Sequence, residues 1–205
     1  VQGNVYMLSG AGANIAVQVG VDGVLIVDSG RAAMADSVIA ALRQLTPAPL
    51  RMIINSTGDA DHTGGNEVVG RAGLRVTSGF AAGGGPTVGA VILARQAVMD
   101  RMIKEKAPEC ALPTTTYDVY PTRSLYFNDE GIALRHVPAA HSDGDSLVFF
   151  RRSDVVVAGE VFNTNLYPFI DIEHGGSVDG VVAALNELLE ISIPALKQER
   201  GTYVI

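Results

Sequence analysis

The chain has no tryptophan, a single cysteine, and only 6% aromatic residues among its 205 positions. With Cys110 alone, no internal disulfide can form, so the fold must be held by burial of apolar surface. That cysteine count suits the cytoplasm and the periplasm equally. Cys110 lies in a Thr- and Pro-rich stretch with nothing beside it to activate a thiolate. Positive charge is scarce: 15 Lys and Arg stand against 22 Asp and Glu, a net charge of −7. Such a surface repels nucleic acid and anionic membranes, so neither is expected as a partner. No apolar run reaches the ~18 residues that a membrane span requires.

What the chain does have is 47% hydrophobic residues, in short runs punctuated by 23 glycines, which is the composition of a globular protein. The length fits one domain with a sizeable core, or two small halves that share one. The sequence opens on Val1 and stops at Ile205 directly after a strand-like run, so both ends are expected to be trimmed.

Asn4–Leu8, Asn14–Val19 and Gly23–Asp28 read as strands, and Val-Gly-Val-Asp-Gly at 19–23 is a hairpin signal between the last two. Ala32–Leu45 has helical spacing, with Met34, Val38, Ile39, Leu42 and Leu45 on one face and Pro47 as its stop. Leu50–Ile54 is an apolar strand running into a polar loop, Asn55–Asn66. Glu67–Arg71 follows as a short helix and Leu74–Thr77 as a strand. Gly79–Gly89 lacks periodicity and reads as a mobile surface loop. Ala90–Leu93 reads as a strand, Gln96–Lys106 as a helix with Val98, Met102 and Ile103 inward, and Pro108–Pro121 as a linker marking a seam between two halves. Leu125–Phe127, Ile132–Val137, Ser146–Arg151, Val155–Ala158 and Thr202–Ile205 read as strands, and Val178–Leu189 as a helix. Strands then helix, twice over, predicts an α+β fold: a four-layer αββα sandwich with helices outside two packed sheets.

Three segments carry chemistry. The first is Asn55-Ser-Thr-Gly-Asp-Ala-Asp-His-Thr-Gly-Gly-Asn66, where Asp61 and His62 adjoin and Asp59 lies two residues earlier. Adjacent ligands reach one cavity only if the backbone bends sharply, and Gly64 and Gly65 permit that. The second is Pro138-Ala-Ala-His-Ser-Asp-Gly-Asp145, holding His141, and the third is the apolar strand ending at Glu160. Imidazoles and carboxylates converging from strand ends are a donor set for a divalent metal. Each residue also has a plainer reading: Asp61-His62 as a solvated turn, Glu160 as a surface acid, and His136 as a half-buried strand residue.

These segments, in this order, resemble the metallo-β-lactamase superfamily, whose signature is H-x-H-x-D-H followed by Thr-Gly-Gly-Asn. Asp61-His62-Thr-Gly-Gly-Asn66 matches its second half, His141 its next histidine, and Glu160 the aspartate that bridges two metals. Val24–Gly30 is similar to the family's early strand and Asp turn, and 169–176 to a later Asp…Gly-Gly segment. The resemblance spans nearly the whole chain and implies one domain over 1–205, with the seam near 108–121.

The departures concern ligands. Thr57 and Asp59 stand where the family has its first two histidines, Glu160 replaces an aspartate, and the final Pro-Gly-His-Gly is missing before Ile205. The resemblance then assigns His141 and Asp59 to a first metal position, and Asp61, His62 and Glu160 to a second. Thr57 is read as a hydrogen-bonding remnant, Asp28 as a residue that fixes the loop, and His174 as a candidate stand-in ligand.

Three carboxylates and two imidazoles together would carry about −3, which one or two divalent ions would relieve. Zn²⁺ is expected first, with Mn²⁺ or Fe²⁺ admitted by the harder, carboxylate-rich donors. The implied activity is hydrolysis of a small ester, lactone, thioester or β-lactam, with Asp61 as the catalytic acid–base group. The alternative is a degenerate relative that binds a small ligand or serves a structural role. Arg95, Tyr167 and Phe169 are candidate pocket residues.

Overall fold

The computed structural model of the protein describes residues 1–76, 86–193 and 200–205. The chain opens with a meander of β1 (Val5–Ala11), β2 (Ala13–Gly20) and β3 (Gly23–Val27), followed by α1 (Ala35–Leu45) and β4 (Leu50–Ile54). Two short helices come next, α2 (Ala60–Thr63) and α3 (Asn66–Arg71). A small ribbon pairs β5 (Leu74–Val76) with β6 (Pro86–Val88). Then come β7 (Val91–Arg95), α4 (Gln96–Lys104) and β8 (Thr115–Tyr117). The remainder is β9 (Thr122–Phe127), β10 (Glu130–His136), β11 (Ser146–Phe150), β12 (Val155–Val157), α5 (Val178–Ile191) and β13 (Tyr203–Val204).

The first sheet runs β1-β2-β3-β4-β7-β8, antiparallel through β3 and parallel beyond it; the second runs β13-β12-β11-β10-β9, antiparallel except for β12–β13. The period of two along each strand separates the layers. In β3, Leu25 and Val27 face Leu134, Val148 and Phe150 of the other sheet. Val24 and Ile26 face the opposite way, onto Val38 and Leu42 of α1 and Val69 of α3. On the far side, Leu147 and Val156 pack against Ala184 and Leu188 of α5. Two mixed sheets thus form the middle of a sandwich, with helices on both outer faces.

Three expectations change. Pro108–Pro121 is not a bare linker: it holds a 3-10 turn at Glu109–Ala111 and the edge strand β8. Thr114 Oγ1 accepts from the Ile92 amide at 3.0 Å, and buried Tyr117 shares a 2.6 Å hydrogen bond with Ser146 of the second sheet. The crossing between sheets is therefore confined to residues 118–121. Asn55–Asn66 is not wholly loop, since α2 lies within it. In α4, Val98 and Met102 are buried as expected but Ile103 is 51% exposed. One residue is a 100° step around a helix, so Ile103 falls off the face that Val98 and Met102 define, while Arg101 flanks it. The mobile loop expected at Gly79–Gly89 lies mostly outside the described residues; within it, Pro86–Val88 form β6. No helix among the described residues is long and apolar enough to cross a membrane.

Candidate metal centre

The site is built on the loop that leaves β4. Asn66 is fully buried and hydrogen-bonds Asn55 in both directions, at 2.9 and 3.1 Å, while accepting from Ser29 Oγ at 2.9 Å. These bonds pin the two ends of the loop to each other and to the end of β3. Gly64 and Gly65 are required by close approach: a Cβ would meet Ala60 O at 2.4 Å and Ser29 O at 2.3 Å. The Thr-Gly-Gly-Asn run therefore folds the loop back tightly enough for Asp59, Asp61 and His62 to face the sheet ends.

His62 is 3% exposed and held at both nitrogens. Nδ1 lies 2.8 Å from Asp28 and Nε2 lies 2.8 Å from Glu160. Asp28, buried at the end of β3, also accepts from the Ser56 amide at 2.8 Å and the Ser56 hydroxyl at 2.6 Å. Burial disfavours the imidazolium, but Asp28 and Glu160 outweigh it, and the His62 pKa stands well above the usual histidine value. The same hydrogen bond from His62 outweighs burial at Glu160 and holds its carboxyl below the usual range. Asp61 completes this group, with Arg31 3.7 Å away on the solvent side.

A second, adjoining group joins Asp59, His141 and Asp171. Asp59 Oδ2 accepts from Thr57 Oγ1 at 2.9 Å, and Oδ1 accepts from Arg101 of α4 at 2.9 Å. Asp171 Oδ2 is 2.6 Å from His174 Nδ1 and 3.5 Å from Arg101 Nη1. Desolvation works against its charge, but His174 and Arg101 hold the Asp171 carboxyl below its ordinary pKa. His141 Nδ1 is buried without a hydrogen-bond partner, 3.4 Å from Asp59 and 3.7 Å from Asp145. Burial opposes its protonation, and the carboxylates of Asp145, Asp59 and Glu160 raise its pKa above the usual value. The Phe169 ring lies 5.8 Å from that of His141.

The five residues singled out in the sequence thus sit together, divided as Asp61, His62 and Glu160 on one side and Asp59 and His141 on the other. Asp171 and Arg101 were not singled out. Asp171 lies inside the Asp…Gly-Gly segment, which was its one available signal. Arg101 carried none, because a helical arginine reads as surface charge. His174 joins neither group; it spends Nδ1 on Asp171. Arg95 pairs with Asp118 at 2.9 Å and stacks on Tyr117, neither of which belongs to either group. Tyr167 is 97% exposed. A cavity of about 160 Å³ opens beside His62 and Glu160, lined also by Asn14, Phe162 and Asn163.

The donor chemistry decides which group suits a divalent ion. In the Asp61 group, Asp28 fixes a proton on His62 Nδ1 whenever the ring is neutral, so Nε2 presents its lone pair to the same space as two carboxylates. A carboxylate-oriented imidazole of this kind is the usual support of a metal ligand. Three protein ligands leave a coordination position open, as catalytic sites require. In the Asp59 group a guanidinium already lies against both carboxylates, and that group does not suit an ion.

No protein-family model matches the chain, and no curated protein matches it in sequence. Solved structures do match its fold. A metallo-β-lactamase from Pontibacter korlensis superposes with a TM-score of 0.67 at 10% identity, over 91% of this chain and 79% of that one. The DIM-1 metallo-β-lactamase gives 0.69 at 13% identity, over 93% and 81%. A double mutant of the sec-alkyl sulfatase PisA1 gives 0.70 at 14% identity; it is matched by all of this chain, which spans 37% of its length. The chain has the metallo-β-lactamase fold, and in it the Asp61, His62 and Glu160 group is able to hold a metal ion.

Proposed function

We propose that the protein is a metal-dependent hydrolase acting on the carbonyl of a small ester, lactone, thioester or β-lactam. The observation that carries this reading is His62, with Nδ1 on buried Asp28 and Nε2 facing Glu160 and Asp61 at the mouth of a cavity. The structural neighbours named as β-lactamases and a sulfatase support hydrolysis as the general chemistry.

A divalent ion held by Asp61, His62 and Glu160 would supply Lewis acidity and lower the pKa of a bound water toward ~7. Zn²⁺ is the first choice, and a donor set of two carboxylates and one imidazole also accommodates Mn²⁺ or Fe²⁺. Asp28 keeps the proton on Nδ1 and so sets the tautomer of His62. Asp61, whose side chain is 30% exposed, would orient a water and accept its proton. Asn163 and Phe162 offer the substrate one polar and one apolar contact beside Glu160.

The test is the metal content of protein purified without added metal, followed by assays of all four substrate classes with Zn²⁺, Mn²⁺ and Fe²⁺. Metal-dependent turnover that disappears in His62→Ala is expected. Protein that binds no metal and turns over none of these substrates overturns the reading. The alternative, a relative that has given up catalysis to bind a small ligand, draws support from the carboxylates of Asp59 and Asp171, which are already satisfied within the chain.

A further inference from the structure

We infer that Arg101 stands in place of a metal ion between Asp59 and Asp171, so that the centre takes one ion fewer than its carboxylates suggest. The inference rests on the proposed metal dependence but is judged on a difference between two proteins.

Arg101 reaches in from α4, and its side chain is only 14% exposed. Nη2 lies 2.9 Å from Asp59 Oδ1, and Nη1 lies 3.5 Å from Asp171 Oδ2. Glu105, one turn on, accepts from Nε at 3.0 Å and so fixes the guanidinium plane. The remaining oxygens of the group are also engaged. Asp59 Oδ2 takes the Thr57 hydroxyl, and both oxygens of Asp171 take donors from His174. A divalent ion here would have to displace a permanent cation from two carboxylates, and would then face it at short range in a partly buried setting.

The Asp61 group differs in its partners: Glu160 faces His62 at 2.8 Å, an imidazole that can itself be a ligand, where a guanidinium cannot. The only ionic partner of the Asp61 side chain among the described residues is Arg31, at 3.7 Å and 65% exposed. Such a pair contributes little and yields readily. Thr57 fits the same picture. A neutral hydroxyl that donates to Asp59 supports a carboxylate paired with arginine, and it would be a poor ligand.

The experiment compares metal stoichiometry in the wild type, Arg101→Met and Arg101→Gln. Each is loaded with excess Zn²⁺, desalted and measured by elemental analysis, with circular dichroism to verify the fold. The expected result is one ion in the wild type and two in either variant, falling back to one when His141→Ala is added. Equal content in wild type and folded variants overturns the inference, as does a wild type that already holds two ions. If the wild type holds none, the proposed function fails, while a gain of one ion in the variants still supports the role of Arg101. Should both variants unfold, the wild-type count decides: two ions overturn the inference and one supports it.

Discussion

Asp28 has a left-handed backbone, φ 67°, and its two oxygens take three hydrogen bonds, from the Ser56 amide, the Ser56 hydroxyl and His62 Nδ1. Every partner is a donor when His62 carries its proton on Nδ1, so the position calls for an acceptor at both atoms. Asp28→Asn keeps the shape and tolerates the left-handed backbone, yet turns one acceptor into a donor aimed at another donor. The expected loss of stability is about 1–3 kcal/mol, measured by urea unfolding. His62 would also lose its fixed tautomer. Zinc affinity should therefore fall roughly 10–100-fold by calorimetric titration. Full Zn²⁺ affinity in the variant would mean that His62 is not a ligand.

At the same scale lies the limit of what the sequence discloses. Asp61 and His62 are legible because neighbouring ligands and a Gly-Gly-Asn bend are local features. Asp28 is legible because a strand that ends in a buried acid has few other uses. Arg101 is not, because its meaning comes from Asp59, 42 residues away, and from Asp171 beyond that. A pairing made by tertiary contact leaves no trace in spacing.

Among the elements, β3 is readable as an unbroken apolar run, since a strand buried on both faces has no polar side to show, while in β4 and β7 the apolar run is interrupted or ended by Arg51 and Arg95. β8 was hidden because Thr-Thr-Thr-Tyr between prolines has the composition of a linker. An edge strand of three residues needs only β-favouring side chains and one neighbour. α5 illustrates the opposite case, where local preference misleads. Gly180 lies in its first turn, and replacing a helical glycine by alanine ordinarily stabilises by up to about 1 kcal/mol. Here a Cβ would sit 1.7 Å from the carbonyl oxygen of Ala139, on the loop that carries His141. Ser177 caps the helix at Gly180 N, 2.9 Å, and also donates to that same carbonyl at 3.0 Å, so helix and loop cannot separate cheaply. Gly180→Ala should therefore lower stability by roughly 1–3 kcal/mol, seen as a lower melting temperature. A higher melting temperature would show that helix propensity, not the contact with Ala139, governs this turn.

Across the whole molecule the two sheets are joined at opposite ends by different means. At the site end, Ser146 donates its amide to Ser56 and its hydroxyl shares a bond with Tyr117. Ser146 pairs with His136 at one end of β10, and Glu130 lies at the other end of that strand. Glu130 is 1% exposed, yet it is an acid. Its oxygens accept from Gln18 of the first sheet at 2.7 Å and from the amide and hydroxyl of Ser153 in the turn between β11 and β12. Asn128 extends the network by donating to Gln18 Oε1 at 3.3 Å. Buried polar groups of this kind are costly when half-satisfied, because the donors left behind lose both water and partner. Glu130→Ala strands Gln18 Nε2 and the Ser153 amide together. At ~1–3 kcal/mol for each of the two stranded donors the expected cost is about 2–6 kcal/mol, which is a large share of the roughly 5–15 kcal/mol that typically holds a domain folded. Because the network is remote from Asp61, His62 and Glu160, the variant that remains folded should keep the wild-type metal content. Chemical denaturation and elemental analysis of the same sample separate the two effects. Loss of metal without loss of stability would mean that the far end of the sandwich is coupled to the site, against the division of labour along β10.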